Sequence, residues 1–396
     1  MRLKARWLFD GTSPSLLSAP VVEVLDGRVV GVVGSDAGVA ESEPVVDLGN
    51  VTLMPGLIDA HQHLGFDASF DPVATFTADS EAALVLRMRL AAQTALASGI
   101  TTIRDLGDRN YLGIELRDWF RTGAEIGPEI VTAGPPITVT RGHCWFMGGE
   151  ADGVEGVRQA VRDHVARGVD VIKIMVTGGN MTPTLGSHES QYTFDEISAA
   201  VAEAHAHGLP IAAHGHGTQG IADAFAAGVD SIEHCTFVNA EGVDSVDSII
   251  GELGRSQTFV SMTLGLVPSD LPPAFPAMAK RRGAIIANHS LLYESGARIV
   301  CGTDAGVSPA KPHNVLPYGV ETLSTLGMSN LEALRAVTSV AAQACGVADR
   351  KGTIAAGMDA DLLAVEGNVV DDLARIHDVV AVFRAGQKVS PLNPPE

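Results

Sequence analysis

The sequence predicts an α/β protein, a (β/α)8 barrel of the TIM type with a small β-sandwich-like domain built from both termini. Three observations lead there. Apolar strand-like runs alternate with helix-like runs through the middle of the chain, about eight of the former can be counted, and both ends carry short Val-rich runs closed by glycine. Continuous apolar runs joined by helical crossovers imply parallel strands covered by helices. Eight is the number at which such strands close into a barrel.

From Arg2 to Leu53 the runs VVEVL, RVVGVV and PVVDL are separated by Asp-Gly and Ser-Asp turns, a pattern of short antiparallel strands. Residues 1–53 are thus the first part of the small domain. The barrel follows over residues 54–351. GLIDAH is its first strand, TTIRD its second, the EIVTAG region its third, VDVIKIMV its fourth, LPIAAH its fifth, VDSIEH its sixth, QTFVSMTL its seventh and ARIVCGTD its eighth. Helix-like stretches such as YLGIELRDWFRTG, TFDEISAAVAEAHAHG and IADAFAAG lie between them. Residues 352–396 return to the opening pattern with DADLLAVEG and VVAVFRAGQKV, and the two ends are expected to share one sheet.

Composition narrows the function. With 396 residues, 46% apolar and 19% charged, the chain can bury one large core. Its net charge of −20 repels phosphate backbones and anionic lipid, which excludes nucleic acid as a partner and gives no support to a membrane role. No apolar stretch approaches the roughly 20 residues that span a bilayer. The opening MRLKARWLFDGTS lacks an apolar core of signal-peptide length, so a cytoplasmic location is expected. Cys144, Cys235, Cys301 and Cys345 are scattered without a CxxC pair, which fits a reducing compartment and structural thiols. A homo-oligomer stays open.

The chemistry-bearing residues fall where a barrel builds active sites, at the C-terminal ends of strands. His61 and His63 end the first strand, Lys173 lies within the fourth, His214 ends the fifth, His234 the sixth and Asp304 the eighth. Alternation along a strand points His61 and His63 the same way and Gln62 the other, so one face offers two imidazoles to one ion. A single strand-end histidine is more often a hydrogen-bonded core residue. Four of them with a carboxylate would be expensive to bury without a metal.

Lys173 is the odd member, because an ammonium has no lone pair for a metal. Carbon dioxide converts a lysine amine to a carbamate, an anion whose two oxygens can bridge two cations. A lysine paired with a strand-end carboxylate is the plainer alternative.

PGLIDAHQH, VIKIM, IAAH, SIEH and GTDAG, in that order and between Gly-rich β segments, resemble the amidohydrolase superfamily of metal-dependent barrels. The likeness covers nearly the whole chain, and GTIAAGMDADLLAVEGN is similar to the segment that closes the superfamily's small β domain. Lys173 together with MVTGGNMTPTLGSHESQYTFDEI resembles the branch of Xaa-Pro dipeptidase-like and arginine or lysine carboxypeptidase-like enzymes. Imidazolonepropionase and cytosine deaminase relatives lack that lysine and fit less well.

The resemblance implies that His61, His63 and Asp304 hold a more buried divalent ion, His214 and His234 a second, and that carboxylated Lys173 and a hydroxide bridge the two. Zinc suits nitrogen and oxygen ligands with open positions, although manganese, cobalt or iron would satisfy the same set. Two cations sharing a water lower its pKa, and Asp304 is placed to take its proton and pass it to the leaving amine. Relatives place a substrate-polarising histidine where His143 stands; packing within its loop is the alternative. His216 forms a second HxH with His214 and is a candidate substrate contact, at a place where many dipeptidase-like relatives have tyrosine.

Arg141 and Lys311 are the candidate cations for a substrate carboxylate. Asp105, ending the second strand, is expected either to hydrogen-bond a metal-binding histidine or to cap its strand, with Arg104 pointing away from Asp105's side. His188 either covers the site or is solvated, His205 and His207 are surface residues, and Cys235 is core. The long loops after the third and fourth strands are expected to form the substrate pocket.

The expected activity is metal-dependent hydrolysis of an amide in a peptide, dipeptide or N-acyl amino acid, or in a modified peptide during biosynthesis. A carbamate, urea, lactone or other small-molecule amide is the alternative substrate class, and a noncatalytic scaffold a remote one.

Overall fold

The computed structural model describes residues 1–34, 45–182 and 184–389. Residues 35–44 and 390–396 of the expected terminal segments, and Pro183 in the loop after the fourth strand, lie outside the described residues.

The middle of the chain forms the eight expected strands: Leu57–Gln62, Ile100–Asp105, Glu129–Thr132, Ile172–Met175, Ile211–Gly217, Ser231–Val238, Phe259–Thr263 and Arg298–Gly302. All neighbouring pairs run parallel. Strands three, two and one make one sheet, and strands four to eight a second. Among the described residues the expected closed barrel has no continuous ladder, since only isolated bridges, Ile137 with Ile174 and Gln62 with Ala305, join the sheet edges. Each seam has a local cause. Pro135 and Pro136 precede Ile137 and have no N–H to donate, and Asp304, at φ 57°, turns the backbone out of extension just before Ala305.

Helices cover the strands. Gly153–Arg167, Phe194–Ala206 and Thr218–Ala227 precede or follow the fourth to sixth strands. The second of these starts at a capping box in which Thr193 and Glu196 bond each other's backbone amides, satisfying donors that the helix itself leaves free. Ile172, Ile174, Ile211, Ala213 and Ile232 join Val161, Ile197, Ala200 and Ile221 of these helices in one apolar cluster. Period-two alternation then sends Lys173, His214 and Glu233 to the opposite side of their strands.

The two ends do share a sheet. Leu362–Glu366 pairs antiparallel with Val51–Pro55 in a six-stranded sheet, while a four-stranded sheet contains Arg2–Lys4, Pro20–Leu25, Arg28–Gly34 and Val45–Asp47. Leu3, Val22, Leu53, Leu362 and Phe383 cluster as a separate core. Buried ion pairs tie the C-terminal strands to the start of the third parallel strand: Lys351 Nζ lies 3.1 Å from Glu129, 3.0 Å from Asp359 and 2.5 Å from Asp361. Arg350 and Arg384 complete the group, on Glu129 and Asp361.

Candidate functional site

At the other end of the parallel strands the structure brings six of the predicted residues into two groups. His61, His63 and Asp304 present ligand atoms within 4.8 Å of one another, as do His214, His216 and His234. In the first group, His61 Nδ1 lies 2.9 Å from Glu233 Oε2, and the other Glu233 oxygen accepts from Arg104 Nη2 at 2.8 Å. A carboxylate only accepts, so Nδ1 carries the proton and the Nε2 lone pair is free. That Nε2 stands 3.3 Å from His63 Nε2 and 3.6 Å from Asp304 Oδ1, which is 3.4 Å from His63 Nε2. Three donor atoms converge on one point.

Close backbone approach makes this possible. Gly302 lies beside His61, where a Cβ on residue 302 would meet His61 Cβ at 2.4 Å. Burial lowers the pKa of His63 to about 3, against the pull of Asp304. Burial lowers that of His61 too, helped by the charge of Lys173 and opposed by Glu233. Burial alone would raise Asp304, but His61, His63, Lys311 and Lys173 outweigh it and hold the carboxyl below its usual value.

In the second group the ring of His214 lies 4.7 Å from that of His234, and His216 stacks on His234 at 4.4 Å. The glycines around His216 predicted that the fifth strand ends near His214. Instead it runs to Gly217, with a register shift between Gly215 and Gly217, and carries His216 into the group. His234 Nδ1 meets Thr263 Oγ1 at 2.9 Å, and His216 Nδ1 meets Thr236 Oγ1 at 3.0 Å. Burial, then repulsion between the rings, holds His214 and His234 well below the usual histidine value. The imidazoles are therefore neutral and able to offer lone pairs.

Lys173 is 1% exposed, and its Nζ has no hydrogen-bond partner among the described residues. Burial pushes its pKa down to about 8, with attraction from Glu233 and repulsion from Arg104. Its charge acts on His61 and His63 and also on His214, His216 and His234. It thus lies within electrostatic reach of both groups.

The other candidates divide. His143 is buried with Nδ1 unpartnered, and its ring lies 4.7 Å from His214. Gly179 leaves room for it, since a Cβ there would sit 2.3 Å from His143 Nε2. Arg141 is exposed and does not line the cavity; its backbone amide donates to Glu150, and φ 58° turns the loop outward. Asp105 does not reach a histidine. Its carboxylate accepts from the Gly107 amide at 3.2 Å, the strand-cap role, while His63 Nδ1 faces the Gly107 carbonyl at 3.4 Å. Lys311 donates to the carbonyls of Thr263 and Thr303. His205 and His207 are exposed, and Cys235 is in the core.

Sequence reasoning passed over Glu233, Arg104 as its partner, Thr263, and Arg282. A glutamate inside the apolar run VDSIEH was the one available signal. A cavity of about 650 Å³ opens above the two groups. Lining residues include His143, Asn180 and Met181 from the expected loops, yet most of the wall is the segment 264–286 after the seventh strand, which had not been singled out.

Comparison with known proteins agrees with this arrangement. The amidohydrolase family profile matches residues 52–389. An ochratoxinase of Aspergillus niger is 28% identical over 419 aligned positions, which cover 95% of this chain and 83% of that protein. A crystal structure of a Xaa-Pro dipeptidase with methionine bound in its active site superposes with a TM-score of 0.86 at 28% identity, over 98% of this chain and 99% of that one. A prolidase complexed with N-methylphosphonate-L-proline gives 0.85 at 27% identity, over the same 98% and 99%. Such neighbours carry a TIM-barrel-type α/β fold, and their family generally uses a divalent metal centre, in keeping with the two histidine-rich groups. With the family profile spanning most of its length, the chain belongs to the amidohydrolase family and is a hydrolase acting on C–N bonds.

Proposed function

We propose that this protein hydrolyses an amide bond in a peptide or N-acyl amino acid at a two-ion centre built on His61, His63, Asp304, His214, His234 and carboxylated Lys173. The observation that carries the reading is Lys173: a buried amine with no partner, lying within electrostatic reach of two separate groups of ligand atoms. Left as an amine it is an unpaired buried polar group, which costs about 1–3 kcal/mol. As a carbamate it supplies an anion within reach of both groups, to the second of which no carboxylate belongs.

The donor set fits divalent ions. His61 and His63 with Asp304 would hold one, His214 and His234 the other, and His216, whose Nδ1 is taken by Thr236, completes the second group or faces substrate. Nitrogen and oxygen donors with open positions favour zinc. When bound, the ions supply a water acidic enough to attack at neutral pH and a Lewis acid for the substrate carbonyl. The chain's own residues supply the rest. Asp304, held anionic by His61 and His63, accepts the proton of the attacking water and returns it to the leaving nitrogen. His143, whose Nδ1 has no partner among the described residues, would donate to the carbonyl oxygen and stabilise the charge that develops there. Glu233 fixes the tautomer of His61.

The two sheets of parallel strands make up one barrel among the described residues of 54–351, its seams joined only by isolated bridges, and the described residues of 1–53 and 352–396 make up the small domain. A direct test is to strip the protein of metal, then restore zinc with and without bicarbonate while following zinc content and hydrolysis of a panel of dipeptides and N-acyl amino acids. Two zinc ions per chain and bicarbonate-dependent activity are expected. Uniform inactivity on the panel, or failure to retain any divalent ion, would refute the proposal.

A further inference from the structure

The two ligand groups and Lys173 make only the floor of the cavity, and the wall above them shows a second pattern. Leu264, Leu266, Leu271, Phe275, Met278 and Ile286 give it an apolar surface, running from the loop after the seventh strand into helix Pro276–Glu294. Two cations line this wall, Arg282, an exposed residue of that helix, and the more buried Lys311 after the eighth strand. Their hydrogen bonding differs as well. Lys311 is engaged by the carbonyls of Thr263 and Thr303, and the neighbouring Arg281 donates to the carbonyls of Asn239 and Ala240. The guanidinium of Arg282 has no hydrogen-bond or ion-pair partner among the described residues.

Arg282 is near enough to Lys311 for the two charges to repel. Asp304, on the floor, is the one carboxylate among the described residues that line the cavity. In a chain of net charge −20, a wall with a free guanidinium and no acid is the reverse of the average surface. Guanidinium pairs carboxylate in a two-pronged geometry, and the apolar wall beside it suits the uncharged part of such a ligand.

We propose that Arg282 is the carboxylate receptor of this cavity, selecting amides that join a bulky apolar group to a part bearing a free carboxylate and refusing those with a cationic side chain. This rests on the amide-hydrolase reading above. Refusal follows from the same residues, because an incoming ammonium or guanidinium meets Arg282 and Lys311 with no acid on the wall to receive it. It narrows the resemblance, setting aside the arginine or lysine carboxypeptidase side of it.

Calorimetry on the zinc-loaded protein tests the assignment without turnover, using 3-phenylpropanoate and the uncharged 3-phenylpropanamide as probes. The wild type is expected to bind the acid more tightly by roughly tenfold or more. Arg282→Met, which keeps the aliphatic length, should abolish that preference, and Arg282→Lys should retain part of it. An acid preference equal in wild type and Arg282→Met, as when the carboxylate sits on metal alone, overturns the proposal, and so does a wild type with no preference. In parallel, kcat/KM for N-acetyl-L-phenylalanine should exceed that for N-acetyl-L-lysine, with Arg282→Met raising KM for the former. If the binding preference holds and no amide is hydrolysed, the amide-hydrolase reading fails while Arg282 keeps its role as receptor.

Discussion

Two buried clusters of charged residues sit at opposite ends of the same parallel strands, and they are built on opposite rules. Around the start of the third strand, Glu129, Asp359 and Asp361 each face a cation, and Lys351 faces all three. Around the other ends, Lys173 Nζ and His143 Nδ1 have no hydrogen-bond partner among the described residues, and two imidazole nitrogens face each other at 3.3 Å. Desolvated polar groups are tolerated only when paired. The first cluster pairs its own members and holds the terminal strands to the barrel, whereas the second is complementary to something the chain does not itself supply.

Replacing the central lysine of each cluster should therefore have opposite consequences. Lys173→Met is expected to lower zinc-dependent activity by more than roughly a hundredfold. In the metal-free protein without bicarbonate it should raise stability by about 1–3 kcal/mol, because an unpaired buried amine is removed. Lys351→Met should do the reverse. It leaves three carboxylates without their shared ammonium, so unfolding in urea should become easier by about 3–5 kcal/mol, with zinc content and kcat retained. If both variants lose stability, the contrast between the clusters is wrong.

Glu233 lies between the two rules, pairing Arg104 at 2.8 Å and orienting His61 at 2.9 Å. Burial would raise its pKa, but Arg104 and His61 overcome that and hold it far below the carboxylate range. Glu233→Gln should weaken zinc binding by roughly 10- to 100-fold and also destabilise the metal-free chain. Competition with a metal-sensitive dye would measure the first effect and urea unfolding the second.

Acid separates the clusters again. Burial would raise Glu129, yet Arg350, Lys351 and Arg384 bring its pKa down to about 2. A folded pKa below the unfolded value of roughly 4.3 stabilises the fold fully above that value, and the gain is lost as pH falls through about 2. Urea midpoints should therefore drop across this window. In Lys351→Met the drop should be shallower, because Glu129 has lost one of its cations.

How much of this was legible in the chain depends on sequence distance. His61, His63, Lys173, His214, His234 and Asp304 could be picked out because each interrupts or ends an apolar run, and eight such runs implied the fold. Glu233 was hidden because its meaning lies in His61, 172 positions away, a partnership created only when the strands curve round. Arg104 was given a direction but no partner for the same reason. The length of the fifth strand was not legible because glycines follow His214, whereas a register shift lets the strand continue past His216. Arg282 is an exposed residue of a helix behind a proline-rich loop, and nothing along the chain marks it as lining the cavity.

The smallest effect tests how finely the metal-facing cluster is tuned. Thr263 Oγ1 lies 2.9 Å from His234 Nδ1, and His234 holds a left-handed φ of 66°, a conformation that costs about 1–3 kcal/mol in a residue other than glycine. Packing must sustain that backbone, but packing alone does not choose which ring nitrogen carries the proton. A hydroxyl that accepts from Nδ1 leaves Nε2 as the lone pair. Thr263→Val keeps the shape and removes the acceptor, so a modest fall in zinc affinity, roughly tenfold, is expected with unchanged stability of the metal-free protein. Thr263→Ser restores the oxygen and should restore affinity. Equal affinity in Val and Ser variants would mean that the strained backbone alone orients His234.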